Sequence, residues 1–162
     1  MNVLASTRLQ TALGEVWLAA DEEHLRLVTL PGTAPPDARP SESHPVLERA
    51  ADELGRYFAG ERVTFTVPAE AASGTPFQRQ VWAALRTIPY GARWSYRELA
   101  EVVGRPGAAR AVGSANARNP LPVVVPCHRV LGADGSLVGF AGGLEVKRAL
   151  LALEGLPLLF PG

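Results

Sequence analysis

The chain has 162 residues, 47% hydrophobic and 20% charged, with 16 basic and 16 acidic side chains, a composition that suits one or two small globular domains. No apolar run approaches a membrane span, and the first residues lack the basic and apolar regions of a signal peptide, so a cytoplasmic protein without a membrane partner is expected. A single cysteine excludes an internal disulfide, and with His24, His44 and His128 scattered it leaves no zinc-ligand set; no metal and no cofactor are expected.

The first half predicts a small α/β domain over residues 1–67, with an antiparallel sheet and a helix. Residues 10–20 and 24–30 are strand-like runs joined through Asp21, Glu22 and Glu23 as a hairpin. Residues 31–45 hold five prolines without periodicity and read as a loop. From Val46 onward Leu47, Ala50, Leu54 and Phe58 recur at helical spacing until Gly60. Residues 62–67 alternate as a further strand, and residues 68–74 read as a linker.

Residues 75–162 predict a second, mainly α domain. Thr75-Pro76-Phe77-Gln78 is a capping box with proline at the first helical position, and Phe77, Val81, Leu85 and Ile88 form the core stripe behind it. Ser95-Tyr96-Arg97-Glu98 opens a short helix, a glycine-containing connection follows, and a third helix covers residues 108–117. Two short helices joined this way make a helix-turn-helix. The third helix carries almost no bulk except Arg110. Such slimness suits either tight internal packing or close approach of a backbone to a narrow groove.

Charge separates the halves. Residues 1–74 carry 6 basic against 11 acidic side chains, while residues 75–162 carry 10 against 5, nine of the ten being arginine. Arginine suits phosphate contacts, although a solvated basic face would show the same excess. In this half the β-branched run 121–125 reads as a strand ended by Pro126, which delivers Cys127 onto a turn beside His128 and Arg129. Thiolate is the nucleophilic form of cysteine, and neighbouring positive charge favours it. Residues 132–135 are turn chemistry, residues 139–143 form a glycine-rich loop suited to covering a planar ligand, and residues 144–154 predict a final helix with Gly155 at its end.

Residues 75–155 resemble the O6-alkylguanine-DNA alkyltransferases. The likeness rests on Pro-Phe-Gln-Arg-Gln-Val-Trp, Trp-Ser-Tyr-Arg-Glu-Leu-Ala, Ala-Arg-Ala-Val-Gly-Ser-Ala-Asn, Arg-Asn-Pro, Pro-Cys-His-Arg-Val and the closing Glu-Gly. The resemblance implies an RNase H-like N-terminal domain and a single-use DNA repair protein. It would bind double-stranded DNA containing O6-alkylguanine through the minor groove, flip the damaged base and move its alkyl group irreversibly to Cys127. It implies His128 as the base, acting through a bridging water, with Glu154 orienting it, Tyr96 as proton donor and base expeller, and Asn119 bracing the reactive turn. On the DNA side it implies Arg110 as the finger that fills the vacated stack, with Ala109, Ser114, Ala115 and Tyr96 at the interface. Val130, Phe140, Ala141 and Gly142 would line the base pocket, Phe140 standing where the family usually has tyrosine. A monomer acting mainly on O6-alkylguanine, with O4-alkylthymine second, is expected. Three other readings are a non-catalytic protein that flags alkylated bases, a Cys/His hydrolase and a sequence-specific helix-turn-helix regulator. The first sits badly with an intact Cys127, the second leaves Arg110 unexplained, and the third predicts affinity for a sequence rather than for a lesion.

Overall fold

A computed structural model describes residues 4–41, 43–132, 134–135, 140 and 143–155. Its contacts divide into two compact units, Met1–Ala72 and Ser73–Gly162.

The first unit is a four-stranded sheet in the order β3-β2-β1-β4, built from β1 (Ala5–Thr11), β2 (Gly14–Ala20), β3 (Leu25–Thr29) and β4 (Arg39–Pro40). β1 to β3 are antiparallel neighbours, whereas β4 pairs parallel with β1, so the sheet is mixed rather than antiparallel. Sequence reasoning missed β1 and began its strand at Gln10. The chain in fact reverses at Ala12-Leu13: Gly14 takes φ 126°, and the Thr11 hydroxyl donates to the Gly14 carbonyl while accepting from the Leu13 N–H. β1 escapes a pattern search because only Ser6 among its seven residues is buried. Its polar side chains hide a strand held mainly by its ladder.

Helix α1 (Pro45–Phe58) begins one residue earlier than the apolar pattern, at the last proline of the expected loop, with the His44 ring accepting from the Leu47 N–H. It packs Leu47, Ala50, Leu54, Tyr57 and Phe58 inward. The expected strand at 62–67 is absent. Glu53, 4% exposed on α1, accepts the backbone N–H groups of Thr66 and Val67 and the Thr66 hydroxyl, so a buried carboxylate takes bonds that a ladder would have taken. Just beyond, Leu25 exchanges backbone hydrogen bonds with Pro68 and Glu70, which keeps the start of the 68–74 stretch against β3.

The second unit contains α2 (Pro76–Leu85), α3 (Tyr96–Val102), α4 (Ala109–Ala117) and α5 (Leu144–Leu153), with a two-stranded parallel pair of β5 (Trp94–Ser95) and β6 (Val130–Leu131). Both capping boxes form, at Thr75/Gln78 and Ser95/Glu98, each side chain reaching the other residue's backbone N–H. Val81, Leu85, Ile88, Leu99, Val112, Leu150 and Leu151 make the core. The Trp82 indole N–H donates to the Ala115 carbonyl at 2.9 Å, and the Gln80 amide donates to Val103, tying α2 to α4 and to the end of α3.

Candidate active site

The run 121–125 is not a strand. Val123 adopts φ 75°, which turns the chain so that the Val125 N–H returns to the Leu121 carbonyl. A β-branched residue in the left-handed region is strained and persists only where its surroundings enforce it. Asn119 supplies that enforcement, accepting from the Leu121 N–H at 2.9 Å and donating to the Val125 carbonyl at 2.8 Å. Cys127, His128 and Arg129 follow as one turn of 3-10 helix that runs directly into β6. Pairing of β6 with β5 then ties this turn to the segment that opens with Tyr96.

Cys127 is only 4% exposed. Burial pushes its thiol up to about 11, and the Asn119 hydrogen bond and the Lys147 charge only partly offset this. The expectation that adjacent cations hold a thiolate is therefore corrected, and the reason is where those cations point. His128 Nε2 lies 2.6 Å from Glu154 Oε2, and Arg129 grips the same carboxylate with Nε at 2.8 Å and Nη2 at 3.1 Å. A third Arg129 nitrogen donates to the Ile88 carbonyl at 2.7 Å, and the Gly91 N–H donates to Glu154 Oε1. Both cations that follow Cys127, His128 and Arg129, thus turn toward Glu154, whose side chain is fully buried.

This arrangement sets the histidine's state. Burial lowers its pKa, outweighing the pull of Glu154, so the ring is neutral at physiological pH. A carboxylate only accepts, so Nε2 carries the ring proton and Nδ1 is the basic nitrogen. A neutral imidazole oriented by a carboxylate can accept a proton at Nδ1, and a buried protonated thiol must lose one before its sulfur acts as a nucleophile.

Across the site, Tyr96 opens α3 half-buried. Burial first, then the Cys127 charge, raise its pKa, opposed by a hydrogen bond from the Asn116 side chain. Lys147 on α5 is fully buried, its ammonium 5.8 Å from the Tyr96 ring centre and 6.0 Å from that of Phe140. Burial lowers its pKa to about 8, with Cys127 pulling the other way. Sequence reasoning missed Lys147 and Asn116 as site residues, and read Arg129 only as a charge beside the thiol rather than as a partner of Glu154. Only Lys147 had a signal, a lone lysine placed one helical turn before Leu150 and Leu151 on the apolar face of a helix.

Helix α4 presents Arg110, Ser114 and Ala117 to solvent and leaves Ala109 half-buried. Ala115 had been expected on the same outer face. It is 3% exposed and receives the Trp82 indole, because it sits on the stripe with Val112 that packs the helix down. Val130 is buried at the start of β6. Ala141 and Gly142 lie outside the described residues.

The model of the 6-O-methylguanine DNA methyltransferase DNA binding domain matches residues 76–156, and that of the ribonuclease-like domain of the same proteins matches residues 4–71. The chain belongs to the 6-O-methylguanine DNA methyltransferase family. It is 46% identical over 149 residues to a methylated-DNA–protein-cysteine methyltransferase of Methanosarcina acetivorans, covering 90% of this chain and 95% of that protein. A Salmonella typhimurium protein of the same name is 43% identical, with 96% and 98% covered. The Mycolicibacterium paratuberculosis relative reaches 58% identity over a shorter stretch of 105 residues, 65% of this chain and 63% of that one. Among solved structures, that of Mycobacterium tuberculosis OGT in complex with DNA superposes with a TM-score of 0.85 at 44% identity, covering 93% of this chain and 92% of that one. In this methyltransferase-family chain the Cys127 turn, Glu154 and α4 all fall inside the DNA-binding-domain match.

Proposed function

We propose that this chain repairs alkylated DNA by transferring the alkyl group of O6-alkylguanine, and secondarily of O4-alkylthymine, to Cys127 in a single turnover. The observation that carries this reading is the lone buried thiol at a turn whose next residue is a neutral histidine held by a buried carboxylate. Sulfur attacks the alkyl carbon as the bond from that carbon to the base oxygen breaks. His128 takes the thiol proton, Glu154 stabilises the imidazolium that forms, and the Lys147 ammonium stabilises charge building on sulfur. Tyr96 gives a proton to the departing base, and the thiol's proton ultimately makes good that loss. The product is a thioether, which water does not cleave, so the protein acts once.

Burial of Cys127 fits a substrate that must leave the helical stack to reach it. Helix α4, reached from α3 through residues 103–108, gives the second unit a helix-turn-helix. Its exposed face of Arg110, Ser114 and Ala117 is slim enough to enter the minor groove while Arg110 fills the gap left by the flipped base. Ala109 and Tyr96 flank that entry, and Val130, Phe140 and the adjoining Ala141 and Gly142 wall the base pocket. Among the described residues no helix is long and apolar enough to cross a membrane. A reducing cytoplasm, which keeps Cys127 as a thiol, is the setting we assign, with the chain acting as a monomer.

The test is intact mass after mixing the protein with a duplex carrying one O6-methylguanine. A gain of one methylene per chain, mapped to Cys127 and saturating at one equivalent, is expected, and Cys127→Ala should bind DNA without gaining mass. Unchanged mass in the parent protein with tight lesion binding would replace this reading with that of a damage flag.

A further inference from the structure

Asn116 belongs to no role assigned so far, and its surroundings are specific. It lies on α4 one turn after Gly113, so the two residues share a face. A side chain built at Gly113 would stand 3.6 Å from the Tyr96 ring, which places that ring directly over this face. Asn116 is 1% exposed, and its Nδ2 donates to the Cys127 carbonyl at 3.3 Å. A carbonyl only accepts, so this bond fixes the amide with nitrogen toward the reactive turn. The Asn116 side chain also opposes the rise that burial imposes on the Tyr96 pKa, the sense expected of an N–H directed at the phenol oxygen. The other end of the amide, Oδ1, is buried without a hydrogen-bond partner. A leucine would fill such a place without burying an unsatisfied oxygen, so what the nitrogen does has to outweigh that cost.

We propose that Asn116 is a positioning residue which sets Tyr96 as proton donor to the departing base, by donating an N–H to the phenol oxygen while anchored on the Cys127 carbonyl. The inference rests on the alkyl-transfer reading above. A phenol oxygen that already accepts an N–H keeps its own proton available for donation outward. When that proton passes to the base, the phenolate left behind keeps the N–H, now as a stronger charge-assisted bond. Because the amide bridges donor and nucleophile backbone, it also sets their spacing.

The experiment compares the parent protein, Asn116→Ala, Tyr96→Phe and the double variant in single-turnover reactions followed by intact mass. Asn116→Ala should slow the limiting rate of transfer from an O6-methylguanine duplex roughly 10- to 100-fold, a part of the roughly 100- to 10,000-fold that a general acid supplies, and leave the half-saturating DNA concentration unchanged. In the Tyr96→Phe background the same substitution should cost less than about 2-fold, since coupled residues are not additive. With free bases, the loss should be smaller for O6-benzyl-8-azaguanine than for O6-benzylguanine, because the more acidic departing base needs the proton less. Equal losses in both backgrounds, equal losses on both free bases, or no loss at all would overturn the role. If Asn116→Ala does not fold, Asn116→Leu keeps the volume and removes the donor, and the same comparisons apply. A parent protein that takes no alkyl group would overturn the repair reading itself, whereas reaction of the parent without these differences would overturn only the role of Asn116.

Discussion

Lys147→Met isolates the cost of burying an ammonium beside a thiol. Full burial lowers the Lys147 pKa from 10.5 to about 8, which puts the charged form about 3 kcal/mol higher in the folded protein than in the unfolded one. Contacts with the Tyr96 and Phe140 rings at 5.8 and 6.0 Å return about 1–2 kcal/mol. Methionine fills similar volume without charge, so the variant should be more stable than the parent by about 1–2 kcal/mol at pH 7. The pH dependence has a definite sign. The folded pKa lies below the unfolded one, so between them the unfolded chain binds more protons and stability rises with pH. The penalty is complete below about 8 and vanishes above about 10.5, which amounts to a gain of about 1.4 kcal/mol for the parent between pH 7 and pH 9. Urea unfolding followed by Trp82 and Trp94 fluorescence at the two pH values, in parent and variant, reads both effects. A variant less stable than the parent at pH 7, or one whose stability tracks the parent's with pH, would refute the reasoning. Transfer should slow in this stabilised variant, because the thiolate loses its nearby positive charge.

Glu154→Gln removes one charge from a buried group that holds His128 and Arg129, and should cost about 3–5 kcal/mol in urea unfolding; a loss below about 1 kcal/mol would mean Arg129 finds another partner. Glu53→Ala orphans the Thr66 and Val67 N–H groups and should lower the stability of the first unit by about 2–4 kcal/mol, read by Trp17. Arg110→Ala should slow repair in duplex DNA far more than reaction with free O6-benzylguanine, and equal losses would contradict the finger. Rates on duplex DNA should fall with added salt, because phosphate contacts release counterions, and a flat salt profile would argue against the groove-binding face.

The helices of the second unit were legible because their signals are local. Thr75/Gln78 and Ser95/Glu98 each mark a start, and Val81, Leu85 and Leu99 mark the buried face. The failures share a different cause. Strand β1 is polar on nearly every residue and needs β2 to exist. Residues 62–67 alternate like a strand, yet Glu53, more than ten positions earlier, takes their N–H groups. Residues 121–125 have the β-branched content of a strand, but Asn119 and the positive φ of Val123 fold them into a turn. In the last two cases a side chain distant in pattern, though not always in sequence, competes for backbone hydrogen bonds, and propensity loses to it. The site divides the same way. Pro-Cys-His-Arg pointed to the nucleophile and base, and nothing in it shows that Arg129 and His128 both turn away to Glu154. Lys147 and Asn116 enter the site only once α4 and α5 are packed against Tyr96.

The depth of Cys127 also bears on what becomes of a molecule after it has reacted. Cys127 is 4% exposed, and Val123, Val124, Val125 and Val130 on either side of it in the chain are buried as well, so the transferred group stays inside the packing instead of leaving with solvent. Overfilling a close-packed interior costs about 1–3 kcal/mol, and it falls here on a turn that already carries strain at Val123. A spent molecule is therefore physically marked, and more strongly when the lesion was a benzyl than a methyl group. Cellular proteolysis acts on the unfolded fraction. The lifetime of the used protein is then set by the size of the damage it removed, a record written in stability rather than in sequence.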